Sequence, residues 1–301
     1  MTPASPTLKD VLRQVKRIEL RTERLVSSLA AGRYRSAFKG QGLEFDEVRE
    51  YTPGDDVRTI DWNVSARTGQ TFVKKYVEER ELSVLLMVDL SGSQRFGTRG
   101  RFKSEIVAEV AASLAMSAVR NNDRVGLLVF TDGIELFVPP RKGRRHALRI
   151  VRDLLSFAPK GTGTELGAAV EYALRILRSR SIVFLVSDFQ QPLTPALERA
   201  LTALAYRHDV VPVTLTDAAE LEFPDAGLIQ VTDPETGALV VFNSADDGLR
   251  RAYREAVEAE RDAVRRAFRR LALDAIELST EAPTANAILS FFRRRERRLR
   301  R

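Results

Sequence analysis

The sequence predicts an α/β fold: a doubly wound, mainly parallel sheet with helices on both faces, preceded by an N-terminal helix and a small β-rich extension. Three observations predict it. From Leu82 onward, apolar runs of strand length alternate with stretches of helical periodicity. The runs are near-continuous and partly β-branched, as strands buried on both faces read. At 301 residues and 44% hydrophobic content, the chain can bury the large core such a sheet needs.

The elements follow in order. Residues 8–31 carry Leu12, Val15, Ile18, Leu25 and Leu29 at helical spacing. From Gly32 to about Glu79 the texture changes to Gly, aromatic and charged residues, with a strong turn signal at Pro53-Gly54. This segment is expected to form small strands rather than helices. Beyond it the predicted strands are 82–88, 124–130, 134–138, 181–187, 209–215 and 273–279. The predicted helices are 103–120, 144–157, 166–179, 194–207, 247–271 and 284–298. In the first of these, Ile106, Val110, Leu114 and Ala118 line one apolar face. Residues 227–231 and 238–243 flank Asp233-Pro234-Glu235-Thr236-Gly237 and predict a hairpin insertion, about 221–245. The chain accordingly divides into residues 1–80, a core of 81–292 and a basic tail of 293–301.

Composition excludes several chemistries. With no cysteine, disulfides, thiolate metal sites and cysteine nucleophiles are ruled out. Only His146, on an expected solvated helix face, and His208, at a helix-to-strand turn, could act as imidazole bases. A Ser-His-Asp hydrolase is therefore disfavoured. The net charge of +7 is concentrated: residues 292–301 hold seven arginines and one acid, and the remainder is close to neutral. Such a tail could meet acidic protein, anionic lipid or RNA, although a solvated helix end is the simpler expectation. No apolar stretch is long enough for a bilayer, and the first residues lack a signal-peptide pattern, so a cytoplasmic protein is expected.

The chemistry concentrates at Ser83-Val84-Leu85-Leu86-Met87-Val88-Asp89-Leu90-Ser91-Gly92-Ser93, a buried-strand pattern ending in D-x-S-x-S. Two more segments suit it. Gly161-Thr162-Gly163-Thr164-Glu165-Leu166 precedes a predicted helix, and the strand 181–187 ends at Asp188. Parallel strands place their carboxyl ends on one edge, where open α/β sheets bind ligands. Asp89, Ser91, Ser93, Thr164 and Asp188 can converge there. Facing carboxylates repel unless one keeps a proton or a cation lies between them. An all-oxygen set suits a hard ion: Mg²⁺ first, with Mn²⁺ or Ca²⁺ as alternatives. Gly92, Gly161 and Gly163 would allow close backbone approach or positive φ.

With these residues in place, residues 82 to about 290 resemble a von Willebrand factor A domain, and the five oxygen donors resemble its metal-ion-dependent adhesion site. The resemblance implies Ser91, Ser93 and Thr164 as direct ligands and Asp89 and Asp188 as ligands directly or through water. It prefers Thr164 over Thr162, because an acid and a leucine follow Thr164. One coordination position would be left for a partner's carboxylate. The stretch Gly42 to Trp62, with Ser65-Ala66-Arg67, Val73-Lys74 and Glu78-Glu79-Arg80, resembles the domain-of-unknown-function family 58. Members are typically bacterial or archaeal, are often encoded beside MoxR-type AAA+ ATPases, and in many cases carry membrane spans before this region. That implies a non-enzymatic, magnesium-dependent protein-interaction module whose partner is such an ATPase or its client, acting in chaperone-like assembly or maturation. Within the stretch, Arg49, Arg58 and Arg67 with Glu44, Asp55, Asp56 and Asp61 around Tyr51 and Trp62 suggest a structural ion-pair network rather than a recognition surface.

Two alternatives stand beside this reading. Asp89 could be the nucleophile of a metal-dependent phosphotransferase or hydrolase. That chemistry generally places a second acid where Ser91 stands and a lysine near the later strands, and none follows Lys160. The arginine tail could bind nucleic acid or another acidic surface, but no basic stripe with interleaved aromatics occurs elsewhere. Phosphate-loop and dinucleotide motifs are absent.

Overall fold

A computed structural model of the chain describes residues 13–18, 20, 22, 25–26, 33–38, 47–53, 57, 60, 62–75, 82–95, 102–232 and 237–299. Its centre is a six-stranded sheet: β3 (Ser83–Asp89), β4 (Arg124–Phe130), β5 (Ile134–Arg141), β6 (Ser181–Ser187), β7 (Asp209–Thr216) and β10 (Ile276–Ser279). Their order across the sheet is β10-β7-β6-β3-β4-β5. Every neighbouring pair is parallel except β4 with the edge strand β5. The fold is thus the α/β, mostly parallel architecture that the alternating pattern predicts.

Side-chain alternation on β3 divides the core in two. Val84, Leu86 and Val88 face one layer, with α3 (Lys103–Arg120), α4 (Arg144–Ser156) and the C-terminal helix α9 (Thr284–Leu299). Leu85 and Met87 face the other, with α5 (Leu166–Ile176), α6 (Pro195–Arg207) and Phe268 of α8 (Asp247–Arg270). All five β3 side chains are fully buried, and each such side chain is worth roughly 1.5–3 kcal/mol of transfer free energy. After β7 come the one-turn helix α7 (Ala218–Leu221) and the hairpin β8 (Leu228–Thr232) and β9 (Leu239–Asn243), paired antiparallel.

The N-terminal extension differs from expectation. Among the described residues, 32–79 hold two short α-helices, α1 (Arg33–Phe38) and α2 (Trp62–Thr68), besides the antiparallel pair β1 (Glu47–Glu50) and β2 (Phe72–Lys75). Tyr34 and Ala37 of α1 are buried in the sheet's first layer, where Tyr34 and Phe38 stack on Phe292 of α9. Glu44, Asp55, Asp56, Arg58 and Asp61 of the expected ion-pair network lie outside the described residues. Arg49 donates within its own strand end, to Glu50 O and Thr52 Oγ1, and Trp62 is 70% exposed. Through Leu299 the arginine-rich stretch forms the last turns of α9, in keeping with the helix predicted over 284–298. Arg295 pairs with Asp209 and lies over the Phe38 ring, and Arg298 pairs with Asp274 at 2.6 Å.

Neither histidine stands near the carboxyl ends of the strands. His146 is half-buried, not solvated, because its Nε2 meets Val125 O at the start of β4. His208 accepts from Ser181 N, at the start of β6, through Nδ1. Both therefore lie at the opposite edge of the sheet from Asp89.

Two outcomes follow from these packing details. The Tyr34 hydroxyl is fully buried with no hydrogen-bond partner among the described residues. Tyr34→Phe removes that desolvation cost and should raise unfolding stability by about 1 kcal/mol, read from the urea midpoint. His208 is held below its reference value of 6.5, by burial first and then by Arg207 and Arg180. The unfolded chain takes up that proton first, so the stability His208 contributes is complete above the reference value and is lost as pH falls below it. The urea stability difference between wild type and His208→Asn should therefore shrink from about pH 7.5 to about pH 5.5. An unchanged difference would show that His208 keeps its unfolded-state affinity for the proton.

Candidate metal centre

The first loop is built by the strand it ends. β3 stops at Asp89, whose Oδ1 accepts from the Ser91 backbone N at 2.9 Å. An acidic side chain bonding the amide two residues on folds the chain back on itself. A short 3₁₀ turn, Gly92–Arg95, follows and brings Ser91 Oγ and Ser93 Oγ to 3.1 Å. Asp89 and Ser91 are fully buried, and Ser93 is nearly so.

The second loop comes from the neighbouring strand β6. Ser187 Oγ donates to Asp89 Oδ2 at 2.7 Å and accepts from Phe189 N at 3.2 Å. Phe189 takes φ +54°, an uncommon conformation for a bulky residue, and turns the chain sharply after Asp188. Its ring is anchored edge-on against Phe268.

The third loop is tied to both. Gly92 N donates to Thr162 O at 2.8 Å, and the Gln191 amide donates to Thr164 O. The turn from β4 into the start of β5 supports it from outside. Glu135 Oε1 accepts from Gly161 N at 2.8 Å, Lys160 N at 2.9 Å and Thr131 Oγ1 at 3.0 Å. Those bonds hold the Glu135 carboxyl below the ordinary range, the Gly161 amide contributing most. A Cβ on Gly161 would collide with Asp132 and Thr131, so this glycine permits the close approach that the sequence suggested. Gly163 has ordinary room, and neither takes positive φ.

The loops meet at the topological switch point. Read from the edge strand β5, the six strands follow the doubly wound order 3-2-1-4-5-6, and β3 and β6 are the adjacent pair whose connections diverge. A crevice opens beyond the carboxyl ends of such a pair, and Asp89 and Asp188 end these two strands.

The electrostatics follow from burial. Asp89 is pushed up to about 6, by burial first and then by the charge of Asp188, against the hydrogen bonds from Ser91 and Ser187. Beside Asp188 stands a cation that the sequence reading missed. Lys103 is fully buried; its Nζ lies 3.2 Å from Asp188 Oδ2 and also pairs with Glu220. Glu220 belongs to α7, where it closes a reciprocal cap with Asp217. Burial raises the Glu220 carboxyl, and Lys103 opposes that rise.

Of the five predicted ligands, Asp89, Ser91 and Ser93 share one hydrogen-bonded turn. Asp188 is close enough to Asp89 to act on its charge. Thr164 is half-buried and joined to the others through its loop's backbone. Among the described residues, no three or more His, Cys, Asp or Glu side chains are placed to hold a metal, so any ion here depends on hydroxyl donors. The donors fit a hard cation: two carboxylates and two buried hydroxyls, one carboxyl already pushed toward its neutral form by burial first and then by the neighbouring acid. The same turn keeps Gln94 buried, with neither amide atom hydrogen-bonded among the described residues. Ser187, Lys103 and Glu135 were missed. Only Ser187 had a local signal, a hydroxyl directly before the strand-ending acid.

Comparison with known proteins supplies the family. A family model described as "Protein of unknown function DUF58" matches residues 47–263. An uncharacterised protein of Mycobacterium tuberculosis is 32% identical over 285 residues, covering 94% of this chain and 89% of its own length. An aerotolerance-related membrane protein from Bacteroides fragilis superposes with a TM-score of 0.46 at 14% identity, over 72% of this chain and 99% of its own. A von Willebrand factor type A structure from Catenulispora acidiphila superposes with a TM-score of 0.39 at 12% identity, over 76% of this chain and 44% of its own. The matched residues run from the β1/β2 extension past both strand-ending acids, and the chain belongs to the family of proteins of unknown function DUF58.

Proposed function

We propose that the chain is a divalent-cation-dependent protein-interaction module. Ser91, Ser93 and Thr164 would hold Mg²⁺, with Asp89 and Asp188 bonding directly or through water. The ion would supply an open coordination position for a carboxylate on a partner, a MoxR-type AAA+ ATPase or that ATPase's client. The observation that carries this reading is the burial of Asp89, Ser91 and Ser93 in one turn, beside a second strand-ending acid, at the switch point of the sheet. Two acids and two hydroxyls crowded without solvent make a poor structural core but a good cation cradle.

The rim suits docking. Phe102, directly before α3, is 54% exposed, and Ile134, the first residue of β5, is 36% exposed. Both can cover apolar surface around a carboxylate seated on the ion. Membrane crossing has no support within the described chain: no helix there is long and apolar enough to span a bilayer.

The phosphotransferase alternative gains one feature and lacks another. Lys103 supplies the cation that the later strands do not, and it comes from the first helix after β3 instead. Yet both oxygens of Asp89 already accept hydrogen bonds, and the side chain is fully buried. That suits a group that organises a site better than one that attacks phosphorus. Both imidazoles lie at the far edge of the sheet, so neither can serve as its base.

Millimolar Mg²⁺ should raise the thermal midpoint of wild type, by linkage worth about 2.7 kcal/mol at one hundred times Kd. In Asp89→Ala the rise should vanish, while far-ultraviolet circular dichroism stays native. Pull-down of the MoxR-type ATPase should succeed with Mg²⁺ and fail with EDTA or with Asp89→Ala. Capture that persists in EDTA would refute the metal-dependent mode.

A further inference from the structure

Lys103 is out of place by ordinary rules. It opens α3, where lysine is normally solvated, yet it is fully buried. Its Nζ is held between the Asp188 and Glu220 carboxylates, whose side chains are 5% and 17% exposed. A lysine head is seldom buried without paired acids, and here it has two. The acids it touches also act on one another and on Asp89: Asp188 raises the energy of the charged form at both Asp89 and Glu220. The four side chains are therefore one electrostatic unit.

The charges of that unit have a simple sum. Asp89, Asp188 and Glu220 contribute three negative charges when ionised, and Lys103 contributes one positive charge. The remainder is two negative charges, which one divalent cation neutralises. Without the lysine the same ion would leave one negative charge over.

We propose that Lys103 is a resident counter-ion that sets the cation affinity of the site, a positioning residue acting through Asp188. The proposal rests on the metal reading given above. In the metal-free chain the ammonium keeps Asp188 and Glu220 paired, so the edge of the sheet stays folded without an ion. With an ion present, the same ammonium would oppose its charge and compete with it for the Asp188 carboxylate, which would keep binding reversible. Glu220 moderates the lysine by sharing its charge. Removing the lysine should therefore tighten metal binding, and neutralising Glu220 should weaken it.

The test is calorimetric titration of the full chain with MgCl₂ and with MnCl₂, for wild type, Lys103→Met and Glu220→Gln. The expected result is opposite signs: about tenfold or more tighter binding in Lys103→Met, by the loss of one like charge at close range, and several-fold weaker binding in Glu220→Gln. Lys103→Met should also be less stable in EDTA and gain more from Mg²⁺ than wild type does. If Lys103→Met does not fold, Glu220→Gln, which keeps the lysine, decides alone. Unchanged affinity in the folded variants would make the lysine purely structural and overturn the proposal. Weaker binding in Lys103→Met would do the same, showing that the lysine serves to present Asp188. Wild type that binds neither ion would instead overturn the metal reading itself, and this inference with it.

Discussion

Two carboxylates end adjacent parallel strands, and the upper edge of the molecule is organised around their mutual repulsion. Asp89 answers it by accepting from the Ser91 amide and the Ser187 hydroxyl, and burial, with the charge of Asp188 added, shifts it toward its protonated form. Asp188 answers it with the buried ammonium of Lys103. These are different solutions to one problem, and together they draw in α3, α7 and three loops. The sheet makes the problem unavoidable, because β3 and β6 are held in parallel register over six residue pairs, from Ser83↔Ser181 to Val88↔Val186. That ladder sets both acids just beyond its end, side by side at the carboxyl edge.

Rigidity of the surroundings matters as much as the acids. The third loop is held from below by Gly92, from the side by Gln191 and from outside by Glu135. Glu135 is a supporting residue in the strict sense, since its accepted bonds point the loop without placing its own charge at the site. A donor set held this way has lost its conformational freedom before any ligand arrives, which is how weak individual oxygen donors come to act together.

Much of this was legible in the sequence, and the reasons are physical. The four central strands β3, β4, β6 and β7 are readable because burial on both faces leaves near-continuous apolar runs. The long helices are readable because three or more turns establish a period: α3 was placed at 103–120 and is found there. The D-x-S-x-S turn announces itself through local chemistry. By contrast, α1 and α2 are only 6 and 7 residues long, less than two full turns, so no period can form within them. Lys103 gave no signal because its partners lie 85 and 117 residues away in the chain (188 − 103 and 220 − 103). The same holds for Arg295 and Arg298, which read as a solvated helix end until Asp209 and Asp274 come within reach.

The C-terminal helix has a consequence for how the chain comes to be folded. Val84, Leu86 and Val88 on the central strand share one apolar layer with Ile288, Phe291 and Phe292 of α9, and Tyr34 and Phe38 stack on that same helix. On a ribosome the central strand emerges first among the six sheet strands, α3 and α4 follow to cover part of this layer, and α9 emerges some two hundred residues after the central strand. The part of the layer that α9 covers must therefore remain open while those residues are being added. Acquisition of structure is then governed by long sequence separations and completes late, leaving a period in which greasy surface is open to solvent and to holding factors.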